Sequence, residues 1–352
     1  MNGQKNGFKI GSRVIGRDYP PYVIAELSCN HNGSLDQAFA ILEAAKNSGA
    51  DAVKLQTYTA DTMTIQCDRP EFRIQGGLWD GRTLYDLYVE AHTPWEWHEP
   101  IFERARQLGL SIFSTPFDAT AVDFLEELEV PAYKVASFEI IDIPLIRRIA
   151  ETGKPVIIST GMASLMEISE AIEVFRDAGT NQIGILHCTS GYPTPATDAD
   201  LLTMGTLEKI FGVAVGLSDH TLGIGVPVAA AALGASIIEK HLTMDRSDDG
   251  LDAAFSLEPD ELHLMCKSVR EAWEAKGRVR FDRSESEKSN VGLRRSLYVL
   301  ADMKKGENLS PENLRAIRPG LGLPPKYLDL LFGKRVNQDI KRGTPMSWGL
   351  IG

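Results

Sequence analysis

Gly216–Thr243 reads GLSDHTLGIGVPVAAAALGASIIEKHLT, and this stretch decides the fold. A short apolar run, Val213–Leu217, leads into it, and an alanine-rich segment at about Val226–Ala235 follows with helical character. A second apolar run, Ser236–Ile238, comes after the helical segment. A strand, a helix and a second strand in this order predict two neighbouring strands of a parallel sheet.

Each of these two apolar runs ends in a polar cluster that contains a histidine, SDH at 218–220 and EKH at 239–241. The ends of neighbouring parallel strands lie side by side, so we expect His220 and His241 to converge on one ion. Two imidazoles with carboxylates nearby suit a divalent metal of the manganese, cobalt or zinc class. The alternative is that one or both histidines are structural residues with satisfied hydrogen bonds.

The same alternation repeats along the chain, with eight apolar strand candidates that are each followed by helical sequence. These candidates are Tyr22–Leu27, Ala52–Thr57, Ser111–Thr115, Ala132–Ser137, Pro155–Thr160, Ile183–Cys188, Val213–Leu217 and Ser236–Ile238. Eight βα units predict an α/β protein with a (β/α)8 TIM barrel, whose active sites lie at the C-terminal strand ends. An open doubly wound sheet is the alternative, but it would not normally use every strand end.

One connection between the strand candidates, Tyr58–Thr93, is unusually long and contains GGLWDGRTLYDLY. Loops of this length in a compact domain are usually functional lids or carry small helices. Its aromatic residues either form such a lid or serve only to pack the connection down.

The C-terminal part of the chain differs in composition from the barrel. The charged segment Lys276–Asn290 has almost no aliphatic residues and is typical of a linker. We therefore predict a barrel domain at 1–280, a linker at 281–292 and a small domain at 293–352. Within the small domain DMKKG at 302–306 is echoed by DIKRG at 339–343, and Ser310 with Pro311 predicts a helix start. Such a small unit buries little apolar surface, so we expect it to pack on something else.

Charge and composition exclude several classes of protein. A net charge of −11 argues against a nucleic-acid surface. No apolar run approaches the ~20 residues that span a bilayer, so we expect no membrane partner. The opening residues, MNGQKNGFKI, contain no apolar signal core, and the four cysteines show no CxxC pairing. We therefore expect a cytoplasmic protein with free thiols.

The predicted strand ends carry groups that suit an anionic substrate. Lysines 54 and 134 and the hydroxyls of Thr115, Ser137, Ser159 and Ser218 are suited to a phosphate or carboxylate. Glu26 and Glu139 are candidates for acid–base work. Together with a metal that polarises a carbonyl, these groups describe the addition of a phosphorylated, anionic carbon nucleophile to that carbonyl.

Several blocks of the sequence resemble the sialic acid synthase family. They are IAELSCNHNGS, AVKLQT, STPF, YKVASFE, STGM, HCTSGYPTP, GLSDHT and IEKH, and RPGLGL in the tail resembles the antifreeze-like (SAF) domain of these enzymes. The resemblance implies condensation of phosphoenolpyruvate with an N-acetylated amino-sugar aldehyde to a nonulosonic acid, with the help of a divalent cation. It also implies a domain-swapped homodimer, in which the small domain of one subunit closes the barrel of the other.

The resemblance also implies roles for individual residues. His220 and His241 would bind the metal, for which we expect Mn²⁺, with Mg²⁺ or Co²⁺ as alternatives. Phosphoenolpyruvate would be held by Lys54, Lys134, Thr115, Ser137, Ser159 and Ser218. Glu26 would engage the sugar near its reacting oxygen, and Glu139 would help to activate the attacking water. The sugar would be faced by Gln56, Tyr192 and Asp252, and by Arg318 from the partner subunit. We expect Phe138 to form an apolar wall of the sugar pocket, the alternative being that it points into the barrel packing.

Departures from the commonest family pattern point to one branch of the family. Phe138 stands where typical members have glycine, and Ser190 where they have asparagine. These residues and the aromatic connection resemble the branch that uses 2,4-diacetamido-2,4,6-trideoxy-altrose. An aromatic-lined pocket suits this less polar sugar. Synthases of N-acetylneuraminate or legionaminate remain alternatives, as do a metal-dependent pyruvate aldolase and a non-enzymatic protein that binds ice or glycans.

Overall fold

The computed structural model describes residues 7–248 and 250–352. The first six residues, part of the opening segment used above to argue against export, lie outside the described residues. The chain divides into two compact units, one that ends at Gly277 and one that runs from Arg278 to Gly352. Each unit has its own cluster of buried apolar side chains.

The first unit is a closed barrel of eight parallel strands, preceded by an antiparallel hairpin of β1 (Gly7–Ile10) and β2 (Arg13–Gly16). The barrel strands are β3 (Tyr22–Glu26), β4 (Ala52–Thr57), β5 (Ser111–Pro116), β6 (Tyr133–Val135), β7 (Val156–Ser159), β8 (Ile183–Cys188), β9 (Ala214–Asp219) and β10 (Ile237–His241). They follow chain order around the barrel, and β10 pairs with β3 to close it. The predicted TIM barrel is confirmed, and each strand lies within three residues of its predicted bounds.

Helices surround the strands because their apolar stripes pack on the outer face of the sheet. They are α1 (Leu35–Ser48), α4 (Trp95–Gln107), α5 (Ala119–Glu127), α6 (Ile143–Ala150), α7 (Leu165–Asp177), α8 (Leu202–Phe211), α9 (Gly225–Leu233) and α10 (Pro259–Lys276). Two further helices, α2 (Ala60–Met63) and α3 (Leu84–Ala91), lie in the connection between β4 and α4. None of the helices in the described part of the chain is both long and apolar enough to cross a membrane.

Strand register decides which polar side chains meet at the barrel mouth. His241 on β10 pairs with Glu26 on β3, which in turn pairs with Lys54 on β4. On the other side of β10, Glu239 pairs with Ser218 on β9. The strands are buried on both faces, so their interiors are apolar and their polar residues concentrate at the ends.

The long connection after β4 carries small helices, as predicted. It contains α2, a 3-10 turn at Pro70–Phe72 and α3. Between the last two elements, Arg73 and Thr83 form an antiparallel bridge at the base of a small hairpin. Gly76 and Gly81 in the hairpin have φ values of 78° and 81°, a left-handed conformation that favours glycine.

The second unit contains α11 (Glu285–Lys288), β11 (Ser296–Val299), β12 (Leu314–Ile317) and α12 (Leu328–Leu331). Its two similar segments, 302–306 and 339–343, contact each other through a pair of reciprocal hydrogen bonds. Lys304 donates to Asp339 at 2.8 Å, and Lys341 donates to Asp302 at 2.7 Å. The helix predicted to start at Ser310 is wrong: a turn follows, and β12 begins at Leu314 because its residues pair with β11.

Candidate active site

The C-terminal ends of the barrel strands surround a cavity of about 540 Å³. Most of the residues that the sequence singled out line it. These are Glu26, Lys54, Gln56, Lys134, Ser137, Phe138, Glu139, Ser159, Tyr192, Ser218, His220, His241 and Asp252. Thr115 is buried and accepts a 3.1 Å hydrogen bond from Lys54. Arg318 follows β12 in the second unit.

The floor of the cavity carries buried ammonium and carboxylate groups that alternate in charge. Nζ of Lys54 lies 2.8 Å from Oε2 of Glu26 and 3.8 Å from Oε1 of Glu239. The same Glu239 oxygen accepts hydrogen bonds of 3.1 Å from Lys134 and from Ser218. Buried charges are retained when they are paired in this way, so each lysine has a partner before any substrate enters.

The pKa values of these groups follow from burial and from their partners. Burial raises the pKa of Glu239, but Lys134 and Lys54 lower it by more, to about 2. Burial lowers the pKa of Lys54, yet Glu239 and Glu26 raise it by more, so the net shift is upward. For Lys134 burial outweighs the attraction of Glu239, and the pKa is lowered. Glu239 is therefore an ionised counter-ion of the two lysines.

Two hydroxyl groups beside this floor are buried without a hydrogen-bond partner among the described residues, those of Ser159 and Ser190. The hydroxyl of Ser137 accepts a 3.1 Å hydrogen bond from the backbone N–H of Gly161. A Cβ atom on Gly161 would collide with the hydroxyl groups of Ser190 and Ser137, so any larger residue here would displace them. Buried polar groups normally have partners, and free hydroxyls beside two ammonium groups fit an oxyanion.

The two strand-end histidines face one another with ring centroids 5.4 Å apart. Nδ1 of His220 lies 3.1 Å from the carbonyl oxygen of Thr189, which places the proton on Nδ1 and leaves Nε2 as a ligand atom. Nδ1 of His241 is buried without a hydrogen bond to any residue that the structure describes, and it lies 3.4 Å from Oδ2 of Asp252. The donor set therefore fits a divalent cation.

Two protein ligands leave most of the coordination sphere of such an ion open. Across residues 7–248 and 250–352 the structure groups no three His, Cys, Asp or Glu side chains around a common metal position. A catalytic metal keeps positions free for water and substrate, so the remaining ligands would have to come from them.

A hydrogen-bonded chain connects Glu26 with the loop after β10. Gln56 donates to Oε1 of Glu26 at 3.0 Å and to Oγ of Ser28 at 3.1 Å. Ser28 in turn donates to Asp252 at 2.6 Å. Because Asp252 also lies beside His241, this chain fixes the carboxylate of Glu26 relative to the histidine pair.

Glu139 lies on a 3-10 turn, Phe138–Ile141, directly after β6. Its Oε2 atom is buried without a partner among the described residues. Burial raises the pKa of this carboxyl to about 7. A carboxyl group that titrates near neutrality is suited to act as a general base.

The long connection supplies an apolar wall above the charged floor. Tyr58 and seven further residues of this connection line the cavity, the seven being Met63, Ile74, Trp79, Leu84, Leu87, Tyr88 and Ala91. Trp79 donates from its indole nitrogen to the carbonyl oxygen of Leu251 at 3.2 Å, and its ring centroid lies 5.8 Å from that of Tyr192. We call these seven residues the apolar wall.

Ser28 and the counter-ion role of Glu239 were not predicted from the sequence, whereas Trp79 was predicted only as part of an aromatic connection that forms a lid or packs itself down. A signal was present for Glu239, because it lies two residues before His241 on a strand and so shares its face. The hydrogen bond from the Trp79 indole to the carbonyl oxygen of Leu251 joins residues 172 positions apart, and no local pattern predicts it.

Comparison with known proteins agrees with this geometry. Residues 41–281 match the NeuB family, and residues 294–351 match the SAF domain. The chain is 46% identical over 332 residues to a pseudaminic acid synthase of Campylobacter jejuni, covering 94% of this chain and 97% of that protein. It is 37% identical over 344 residues to an N,N'-diacetyllegionaminic acid synthase of Legionella pneumophila, covering 96% of each.

A crystal structure of N-acetylneuraminic acid synthetase from Leptospira borgpetersenii in complex with citrate superposes with a TM-score of 0.73. It is 30% identical and covers 83% of this chain and 97% of that one. The chain described here belongs to the NeuB family and carries a C-terminal SAF domain. Its curated relatives at 45–46% identity are pseudaminic acid synthases.

Proposed function

We propose that this enzyme catalyses the reaction of a pseudaminic acid synthase. Phosphoenolpyruvate, 2,4-diacetamido-2,4,6-trideoxy-β-L-altropyranose and water would give pseudaminic acid and phosphate. The observation that carries the proposal is the single cavity with two chemistries: two buried ammonium groups beside a histidine pair on its floor, and an apolar wall above them. The near full-length similarity to pseudaminic acid synthases supports it.

The charged floor would hold phosphoenolpyruvate. Lys54 and Lys134 supply two ammonium groups, and Ser137, Ser159 and Ser218 supply hydroxyls, with Thr115 supporting Lys54 from below. Glu26 and Glu239 accept only some of the hydrogen bonds that the two ammonium groups can donate, so an entering oxyanion can accept the others. Charge-assisted hydrogen bonds of this kind are strong and directional, so they would orient the enol carbon toward the sugar.

Carbon–carbon bond formation joins C3 of phosphoenolpyruvate to the aldehyde carbon of the open-chain sugar, and the aldehyde oxygen takes up a proton. Water then adds at C2, and phosphate leaves with the bridging oxygen. Glu26, held by Gln56 and Lys54, would stand near the reacting sugar oxygen. Glu139, with a pKa of about 7, would take the proton from the attacking water.

His220 and His241 would hold the divalent cation, for which Mn²⁺ is our first choice and Mg²⁺ or Co²⁺ the alternatives. When bound, the ion supplies Lewis-acid polarisation of the aldehyde carbonyl. Asp252, beside His241, would orient that ring and face the sugar together with Tyr192 and Gln56.

The apolar wall would receive the three methyl groups of this sugar, one at C6 and one on each acetamido group, of which N-acetylmannosamine has only one. A buried methyl gains from leaving water, whereas a buried hydroxyl without a partner costs about 1–3 kcal/mol. Phe138 also lines the cavity, but it is 57% exposed, so the buried part of the wall comes from the connection after β4.

We also propose the swapped homodimer. Large apolar side chains beside β6 and β7 are exposed on the first unit, namely Phe138, Ile141, Met162, Leu165 and Met166. Leu321, three residues after Arg318, is 74% exposed on the second unit. Exposed apolar groups favour burial against a partner, here the small domain of a second copy, which would deliver Arg318. The four free cysteines are consistent with a cytoplasmic enzyme.

A phosphate-release assay with phosphoenolpyruvate and a panel of amino sugars tests the function. We expect phosphate release that depends on the diacetamido trideoxy sugar and a product heavier than this sugar by the pyruvyl unit. Faster turnover of N-acetylmannosamine or of the legionaminate precursor would assign the chain to another branch. Product formation from pyruvate without phosphate release would identify an aldolase instead.

A further inference from the structure

Lys240 is completely buried and does not line the cavity, although its neighbours Glu239 and His241 both do. Side chains alternate along a strand, so Lys240 points to the outer face of the barrel. Its ammonium group lies 2.5 Å from Oδ2 of Asp219 and also donates to the carbonyl oxygen of Thr221.

The two partners of Lys240 are the residues on either side of His220. Lys240 itself directly precedes His241, and it pairs in register with Asp219 on the neighbouring strand. The ammonium group of Lys240, the residue before His241, therefore contacts both residues that flank His220. The carboxylate of Asp219 also accepts 3.1 Å hydrogen bonds from N and Oγ1 of Thr221, which closes the segment into a tight turn.

A buried ion pair is weak evidence for a stabilising role, because desolvation offsets the attraction between the charges. The pair lies within the field of two further charged groups, Glu261 and Arg246, which contact each other. An apolar pair would fill the same space on the outer face without a desolvation cost. A role in positioning the two histidines explains better why a buried ion pair lies next to both of them.

We propose that Lys240 and Asp219 are positioning residues that fix the separation and orientation of His220 and His241. This inference rests on the proposed metal site of the same cavity. Partners of metal ligands typically change metal affinity by about 10–100-fold when they are removed. Here the effect is transmitted through the backbone at the ends of β9 and β10.

The test uses the full-length double variant Lys240→Met with Asp219→Asn. It removes both charges together, and asparagine keeps an oxygen for the hydrogen bonds from Thr221. Mn²⁺ affinity is measured on chelator-treated protein, and hydrogen exchange of the segment 216–222 is measured without metal. Lys154→Met is the matched control, because it removes an ion pair with Glu126 at the opposite end of the barrel.

We expect the double variant to fold, to bind Mn²⁺ about 10–100-fold more weakly and to exchange faster at 216–222, while the control matches wild type. A folded double variant with unchanged affinity and unchanged exchange would overturn the proposal. If wild type binds no Mn²⁺, the metal site fails, and the exchange result alone decides about the positioning pair. If the double variant does not fold, Asp219→Asn alone is judged by the same two measurements.

Discussion

Nζ of Lys134 on β6 lies 3.1 Å from Oε1 of Glu239 on β10, so an ammonium and a carboxylate from non-adjacent strands meet inside the barrel mouth. Lys134→Met removes one of two cations from the proposed phosphate site. We expect kcat/KM for phosphoenolpyruvate to fall by about 10²-fold, the typical loss when one preorganised charge-stabilising group is removed. Steady-state kinetics with Lys154→Met as control checks this, and an unchanged kcat/KM for phosphoenolpyruvate would contradict the assignment.

The raised pKa of Glu139 predicts that the activity of the enzyme depends on pH. Burial raises its pKa to about 7, so its basic carboxylate form increases as the pH rises through 7. We expect kcat/KM of the wild type to rise over the same range. Glu139→Gln cannot accept the proton, and its rate should fall by about 10²–10⁴-fold and lose this limb of the profile. A variant that keeps the rising limb would show that another group titrates.

If His220 and His241 hold the metal, replacing one of them should abolish metal binding. His220→Ala removes one of the two protein ligands, so we expect it to abolish detectable Mn²⁺ binding and turnover while the fold, judged by circular dichroism, survives. His263→Ala, an exposed histidine on α10, is the control. Wild-type turnover that persists after thorough chelation would refute the metal assignment.

The position of Trp79 in the apolar wall predicts that it contributes to the choice between sugars. We expect wild type to prefer the 6-deoxy diacetamido sugar over N-acetylmannosamine by at least about tenfold in kcat/KM, since 1.36 kcal/mol corresponds to tenfold. Trp79→Ala removes apolar surface from the wall and should reduce this ratio while the KM for phosphoenolpyruvate stays unchanged. Leu78→Ala, an exposed neighbour in the same hairpin, is the control. An unaltered ratio would place the selectivity elsewhere.

Arg318 predicts complementation between subunits. In the proposed swapped dimer, His241→Ala and Arg318→Ala are each inactive as homodimers. In a heterodimer one barrel has both an intact histidine pair and an intact Arg318 from its partner, so we expect some activity to return. The measurement is turnover of heterodimers purified through two different affinity tags. Absence of recovery in verified heterodimers would indicate that each small domain serves its own barrel.

Much of the barrel and its mouth was predictable because the information is local. The alternation of apolar runs with helical stripes decides the eight βα units, and a parallel barrel brings all strand ends to one face. Residues that end a strand, such as Glu26 on β3 and His241 on β10, can therefore be assigned to one cavity from the sequence. The small domain was harder, since its short strands and turns leave weak periodic patterns, and the helix predicted at Ser310 is absent.

The sequence by itself determined the barrel, the polar strand ends and the family, because strand and helix periods and contiguous motifs are properties of neighbouring residues. Only the tertiary structure decided that Glu239 balances Lys134 across the barrel, that Lys240 joins both flanks of His220, and that Trp79 reaches Leu251. These contacts depend on barrel closure, on strand register and on the path of a long connection. Each joins residues that are distant in the chain, so no local pattern carries them.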